Sequence, residues 1–374
     1  MFSRMKNYEI ALSILSVLMT IAPSITSAEQ KKERNKRKIA EDVIVIRNPK
    51  KPLYKEDVFH KIEDMSIGES QGRDEPIFSQ IGDMAVDEHE RIFVSDWKET
   101  RIRVFDRNGI ILMNIGKKGQ GPGEFERING IQITPQNELM VLDASRKRLS
   151  FFSLAGEFVR SKSLSEIQAL AIRINSKRNF LCLSALLDPR SALSTSELRI
   201  YDPELKSLVT VASSDPQDVY TPFLPFLVWE LDKNGQVFCG FNQKYEFSVY
   251  DAEGNVLRSI SRDFDPVRIP EEERKAALKR LKQPENKNVP SFYPAYRRIS
   301  VDEAGRVFVQ TWERPEKGSG YYHDVFDSSG RYITRILFEF PPRVWKKGKL
   351  YTVEEDENGF QFVRCYKVEW KTEK

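Results

Sequence analysis

Cysteine and histidine are scarce in this chain: three of each among 374 residues. An odd and sparse cysteine count (Cys182, Cys239, Cys365) excludes a disulfide framework. The three histidines, His60, His89 and His323, are far apart, and no His-x-x-x-His or Cys-x-x-Cys spacing occurs, so no zinc site is written in the sequence. No Gly-x-Ser-x-Gly elbow and no phosphate-binding P-loop is present. Paired carboxylates spaced for acid–base work are not evident either. Long apolar runs are missing too. Ile10–Ala22 is the run that invites a membrane reading, but it is shorter than the roughly 20 residues a spanning helix needs and ends at Pro23.

Net positive charge is also absent from the body of the chain. The formal net charge is +4, of which residues 1–28 carry +1 and residues 29–38 carry +4, leaving −1 for residues 39–374. A nucleic-acid binder of this size shows its basic footprint in the folded part, so no nucleic-acid partner is expected.

The N-terminus reads as targeting sequence. Arg4 and Lys6 precede the apolar run, and Thr26-Ser27-Ala28 offers small residues for cleavage before Glu29. Residues 1–28 are therefore expected to be a signal peptide and the location extracytoplasmic, periplasmic or secreted, with no membrane span after cleavage. An anchor kept uncleaved is the alternative. No cysteine follows that would carry a lipid. Residues 29–57, opening on the basic tract Lys31–Lys38, are expected to be a flexible leader.

What the chain has is repetition. From Gly82 to Phe125 four short apolar runs alternate with turn residues: Gly82–Val86, Ile92–Asp96, Arg101–Phe105 and Ile110–Ile115. This is the pattern of an antiparallel meander. It recurs. Asp87, Thr134, Asn175, Asp232 and Asp302 end successive first strands, and each is followed three residues later by a turn position (Glu90, Asn137, Arg178, Gly235, Gly305). Third strands end at Asp106, Ser153, Asp202, Asp251 and Asp327 before a second tight turn. Five four-stranded units result. A sixth, weaker one over residues 349–370 lacks a strand, and Val58–Ile67 is the natural candidate to supply it and close the ring. Cys182 and Cys239 each lie seven residues after their turn markers, at positions expected to pack between sheets as small hydrophobes.

The first unit, from Ala85-Val86-Asp87 through Arg101–Asp106 to Gly119-Gln120-Gly121-Pro122-Gly123-Glu124-Phe125, resembles an NHL repeat. The chain is also similar to bacterial, signal-bearing six-bladed β-propeller proteins of uncharacterised function. The resemblance implies an all-β fold: a six-bladed propeller of four-stranded antiparallel blades over residues 58–370, closed by an N-terminal strand. It implies no single activity.

In that architecture the a–b and c–d turns lie on one face, and the b–c and d–a connections on the other. The a–b and c–d turns are short throughout, whereas the insertions fall in b–c of the third and fifth units and in two d–a connections, Ala212–Phe226 and Arg262–Tyr296. All variation is thus on one loop-rich face, where binding sites on rigid scaffolds are usually built. The longest insert carries Pro270, early acids and late bases, predicting a short helix over about 270–283. Candidate ligand-binding residues on this face are Trp97, Arg101, Arg148, Trp229, Tyr293, Tyr296, Trp312 and Tyr321. The same aromatics, with Tyr220, Phe223, Phe226, Phe292 and Tyr322, could equally form a self-packed cap. The expectation is a monomeric binding module for a protein, peptide or glycan. The alternative is a metal-dependent lyase or lactonase at the central channel: enzymes of this fold hold zinc through histidines or calcium through Glu, Asn and Asp at strand ends. No catalytic or metal residues and no cofactor are predicted, although Asp83, Asn129 and Glu230 near the first strands leave room for a cation such as calcium.

Overall fold

The computed structural model describes residues 43–55, 57–68, 77–188, 193–218, 221–281 and 289–371. The expected signal segment, the basic tract, Tyr220 and the end of the predicted helix lie outside the described residues. The chain enters through β1 (Ile44–Asn48) and β2 (Phe59–Ile67). Blade 1 is then β3 (Ile81–Val86), β4 (Ile92–Asp96), β5 (Arg101–Phe105) and β6 (Ile111–Ile115). A small parallel pair, β7 (Lys117–Lys118) and β8 (Glu124–Phe125), leads to blade 2: β9 (Gly130–Ile133), β10 (Glu138–Asp143), β11 (Arg148–Ser153) and β12 (Phe158–Ser163). Blade 3 is β13 (Ala169–Ile174), β14 (Phe180–Leu187), β15 (Leu193–Tyr201) and β16 (Ser207–Ser213), with β17 (Gln217–Asp218) on β15. Blade 4 is β18 (Leu227–Leu231), β19 (Val237–Phe241), β20 (Glu246–Tyr250) and β21 (Val256–Arg262), followed by helix α1 (Glu271–Lys279). Blade 5 is β22 (Arg298–Val301), β23 (Val307–Gln310), β24 (Tyr321–Phe326) and β25 (Tyr332–Phe338). Blade 6 is β26 (Val344–Lys346), β27 (Lys349–Glu355) and β28 (Gln361–Trp370), completed by β2.

Closure is as the repeat count requires. β2 runs antiparallel to β28 from Phe59 opposite Trp370 to Ile67 opposite Val363. The stretch 29–57 is not a loose leader throughout, which corrects the expectation for its second half. β1 adds a fifth, parallel strand to the outer edge of blade 4, and the Leu53 and Tyr54 N–H groups donate to the Tyr332 and Ile333 carbonyls of blade 5. The signal for β1 was the short β-branched apolar run Val43-Ile44-Val45-Ile46, overshadowed by the basic tract before it. The sixth unit does carry an Asp turn, but Asp356–Gly359 joins its b and c strands rather than a and b.

Why each blade reads as nearly unbroken apolar sequence is visible in the core. Strand side chains alternate between faces, and both faces of a blade are covered. In β4, Ile92 and Val94 pack toward blade 6 with Tyr351 and Val363. Phe93, between them, packs toward blade 2 with Ile131 and Leu139. Five further clusters repeat this between successive blades or cap the loops. Cys182, Cys239 and Cys365 are buried in three of these layers. Burial pushes the Cys239 thiol up to about 12 and that of Cys182 to about 11, so none of the thiolate needed for redox work forms near neutrality.

The turn residues serve the hairpins as expected. Asp87 Oδ1 accepts from the His89 and Arg91 N–H groups at 2.9 and 2.8 Å, and Asp302 Oδ1 does the same for Ala304 and Arg306. The linker Gly119–Phe125 is a compact turn: the Gln120 and Gly121 N–H groups donate to Glu124 Oε2. Gly116, at φ +76°, passes so close to Phe125 that a Cβ would come within 2.2 Å of the ring.

Blades 4 and 5 are bolted by one buried ionic node. Asp324, fully buried, accepts from Arg262 Nη1 and Arg335 Nε, each at 2.8 Å, and from the hydroxyls of Tyr245 (2.6 Å) and Tyr332 (2.8 Å). Arg262 also donates to the Lys50 carbonyl, tying in the entering chain. Removing one partner of a buried pair strands the other charge, which costs about 3–5 kcal/mol. Asp324→Ala is therefore expected to lower stability by about that amount, read as a lower denaturation midpoint at unchanged m-value. A midpoint equal to that of the parent protein would show that the node is not a structural bolt.

Candidate functional site

The inner strands β3, β9, β13, β18, β22 and β26 surround an axial channel. Its wall residues can be reached by counting back from the turn markers: four residues before Asp87 and Asp302 stand Asp83 and Arg298, and two before Thr134, Asn175 and Asp232 stand Gln132, Arg173 and Glu230. Several of these are stitches between blades. Asp83 Oδ2 accepts from the Ile131 N–H at 3.0 Å and from Arg173 Nη2 at 3.3 Å. Gln132 donates to the Ile174 carbonyl at 2.9 Å and accepts from the Ile174 N–H at 2.7 Å, taking the place of a backbone pair. Glu230 accepts from the Leu231 N–H, and enclosure raises its carboxyl above the ordinary glutamate value.

The two channel ends differ. On the turn side a cavity of about 400 Å³ opens among Asp87, Thr134, Asn175 and Asp232, with Lys346 at its rim and Arg173 and Glu230 in its wall. On the loop side Arg297 and Arg298 begin blade 5, and Arg343 immediately precedes β26 of blade 6. Arg298 and Arg343 expose their side chains, yet neither has an ion pair or side-chain hydrogen bond among the described residues. The exposed surface is that of a channel mouth crowded by protein. That crowding, with Arg343 and Arg297 as neighbours, holds the Arg298 guanidinium down to about 9. Arg343 is lowered for the same first reason and partly restored by Asp83.

Of the eight candidate residues, the structure gathers three. Tyr293 and Trp312 stack with ring centres 4.0 Å apart, and Phe223 meets Tyr293 edge-on at 5.6 Å. The Arg297 guanidinium lies over Trp312 at 4.5 Å and over Tyr321 at 4.1 Å, linking Tyr321 to the stack. Tyr293 and Trp312 are themselves buried, with Ile269, so this part of the cluster is the self-packed cap. Helix α1 buries no residue of its own. It is tethered by Glu273, which accepts from the Tyr293 hydroxyl and pairs with Arg314 at 3.2 Å.

The other five candidates stand elsewhere. Tyr296 is a core residue, fully buried, its hydroxyl donating to the Glu246 carbonyl at 3.0 Å, so it presents nothing to a ligand. Trp229 sits on the inner strand of blade 4, half-buried against the blade 3–4 layer. Arg148 donates to the Gln120, Gly121 and Glu124 carbonyls and so clamps the glycine linker. Arg101 pairs with Glu99 at 3.0 Å. Trp97 stacks beneath Arg127 at 5.1 Å. Asp96 and Asp143, both fully buried, anchor the incoming linkers by accepting from the Ser79 and Glu126 N–H groups at 2.7 Å. Of the residues named for a cation, Asn129 accepts from the Ala144 N–H, and Asp83, whose charge acts on Glu230, is engaged by Arg173 and the Ile131 N–H. Among the described residues no three of His, Cys, Asp and Glu gather as a metal site. Arg297, Arg298 and Arg343 escaped notice in the sequence because an inner-strand arginine has no motif of its own. The register of the turn markers was the available signal for Arg298; the sixth unit, which Arg343 opens, has no such marker.

Residues 33–181 match the family DUF5128, described as a 6-bladed beta-propeller. The described chain shows that same architecture through all six sheets. This protein is a six-bladed β-propeller. The propeller superposes on a protein named as exported from Bacteroides fragilis with a TM-score of 0.57 and 12% identity, over 88% of this chain and 100% of that one. A member of the DUF4221 family from Bacteroides vulgatus gives 0.55 and 15% identity, over 85% and 100%. At such identities the likeness is one of fold. No curated protein matches the sequence. Among the described residues no helix is long and apolar enough to cross a membrane.

His323, on β24, is buried beside the mouth, its Nδ1–H donating to the Tyr321 carbonyl at 3.1 Å. Burial lowers its pKa from 6.5 to about 4. The folded state therefore resists a proton that the unfolded chain accepts: the stability is full above pH 6.5 and is lost as the pH falls toward 4. At about 1.4 kcal/mol per pKa unit the loss is about 3 kcal/mol. Denaturation curves between pH 7 and 4 should show this slope, and His323→Gln should flatten it. An unchanged slope in the variant would refute the assignment.

Proposed function

We propose that the propeller is an extracytoplasmic binding module that engages a protein, peptide or glycan through its loop-rich face, at the channel mouth of blades 4 to 6. The observation that carries this reading is the convergence of the insertions. The d–a insert with α1 and the b–c segment of blade 5 meet around Arg297, and they leave Phe292, Tyr321 and Arg314 at the surface beside the mouth. A rigid ring with one elaborated face presents its ligand site at low ordering cost. The turn face lacks such inserts; its side chains are spent on stitches such as Arg91 to the Leu154 carbonyl and Asn175 to the Ala252 carbonyl.

The test compares faces. The full chain, immobilised, captures ligand from an extract of the producing cell's surface and medium, with the bound material quantified by mass spectrometry. Phe292→Ser combined with Tyr321→Ser should reduce capture about tenfold or more, a loss of about 1.4 kcal/mol. Glu88→Ser combined with Lys233→Ser on the turn face should leave it intact. The reverse pattern would place the ligand in the turn-side cavity and overturn the loop-face reading.

A further inference from the structure

The loop-side mouth carries positive charge that the protein does not neutralise. Arg298 opens the inner strand of blade 5, Arg343 immediately precedes that of the adjacent blade 6, and the charge of Arg343 acts on Arg298, so both stand at the same end of the channel. Both are accessible, and neither has a carboxylate partner among the described residues. Asp83, the acid whose charge acts on Arg343, is already engaged by Arg173 and the Ile131 N–H. Arg297, gripped between Trp312 and Tyr321, fixes a third positive charge alongside. Elsewhere in the ring arginines such as Arg262, Arg335, Arg306 and Arg91 meet carboxylates.

We propose that Arg298 and Arg343 form an oxyanion subsite that receives an acidic group of the ligand, a carboxylate, sulfate or phosphate. The guanidinium fork fits such groups through two parallel N–H···O bonds. Crowding by protein around the channel mouth lowers the local dielectric and strengthens the pairing relative to open solvent. The anion supplies the countercharge that the fold withholds, so the mouth discriminates acidic ligands from neutral ones of equal size. This proposal rests on the loop-face reading above and adds the ligand's charge to it.

The test is calorimetric titration of the full chain at constant ionic strength, with glucuronate, inorganic sulfate and glucose as probes. Glucuronate, sulfate or both should bind and glucose should not. Response to glucuronate alone assigns the site to carboxylates, and response to both assigns it to oxyanions in general. Arg298→Gln and Arg343→Gln should each weaken binding about tenfold or more, and Arg343→Lys should weaken it less than Arg343→Gln. The unliganded melting temperature should stay level or rise in the Gln variants, because a repulsive pair is relieved; a merely structural arginine would lower it. Absence of binding by the parent protein, or equal binding by the Gln variants, would overturn the proposal. Capture that depends on Phe292 and Tyr321 but not on either arginine would sink this inference alone. Glucuronate binding with no loop-dependent capture would sink the loop-face reading instead.

Discussion

Everything in this molecule depends on ring closure. A four-stranded sheet of five- or six-residue strands cannot bury both of its faces, and each blade here does so only because a neighbour stands on either side. Five neighbours follow automatically along the chain. The sixth contact requires the two ends of the chain to meet, and β2 pairing with β28 makes it meet. Ile67 from the start of the chain then shares a core layer with Tyr351 and Val363 from its end and Phe105 from blade 1. Loop entropy opposes joining residues so far apart, but its growth with length is slow, and an entire inter-blade layer is gained in return.

The entering chain does more than close the ring. Before reaching blade 6 it adds β1 to blade 4, then hydrogen-bonds along blade 5, with Asn48 serving as a double clip. Its Nδ2 donates to the Gly330 carbonyl at 3.0 Å and its Oδ1 accepts from the Tyr332 N–H at 2.8 Å. The belt thus crosses three successive blades and covers the outer edge of blade 4, the kind of exposed strand edge that otherwise invites pairing with another chain. Beneath it lies the Asp324 node. The two devices together brace blades 4 to 6. The insert that carries α1 and the long b–c segment of blade 5 are mounted on this part, and a site held by rigid elements keeps its geometry without a ligand to organise it.

That mounting explains the division of labour among the aromatics. Tyr293 and Trp312 stack on each other and on Ile269 because a long insert needs its own small core before it can present anything. Tyr321 and Arg297 lie at the margin of that core, half in it and half at the mouth. The arginines beyond them remain uncompensated, a charge pattern that costs stability and so points to use by a ligand. Asp83, Gln132 and Arg173, which a motif search would rank as channel chemistry, instead join the inner strands of blades 1 to 3, where no backbone ladder runs from one blade to the next.

The sequence by itself determined the repeat, the six blades, the closing strand, the faces on which turns and insertions fall, and the burial of Cys182 and Cys239. These follow from local rules: strand alternation, Asp and Gly turn chemistry and a constant spacing, all of which act over a few residues. It was silent on what happens between repeats. Whether Tyr296 faces solvent or core, whether Arg148 binds a ligand or a linker, and whether Arg298 and Arg343 meet an acid are decided by neighbours tens to hundreds of residues away. Charge and burial at those positions are properties of the assembled ring, because only radial packing sets which side chains confront each other across the channel and which are left there without a partner.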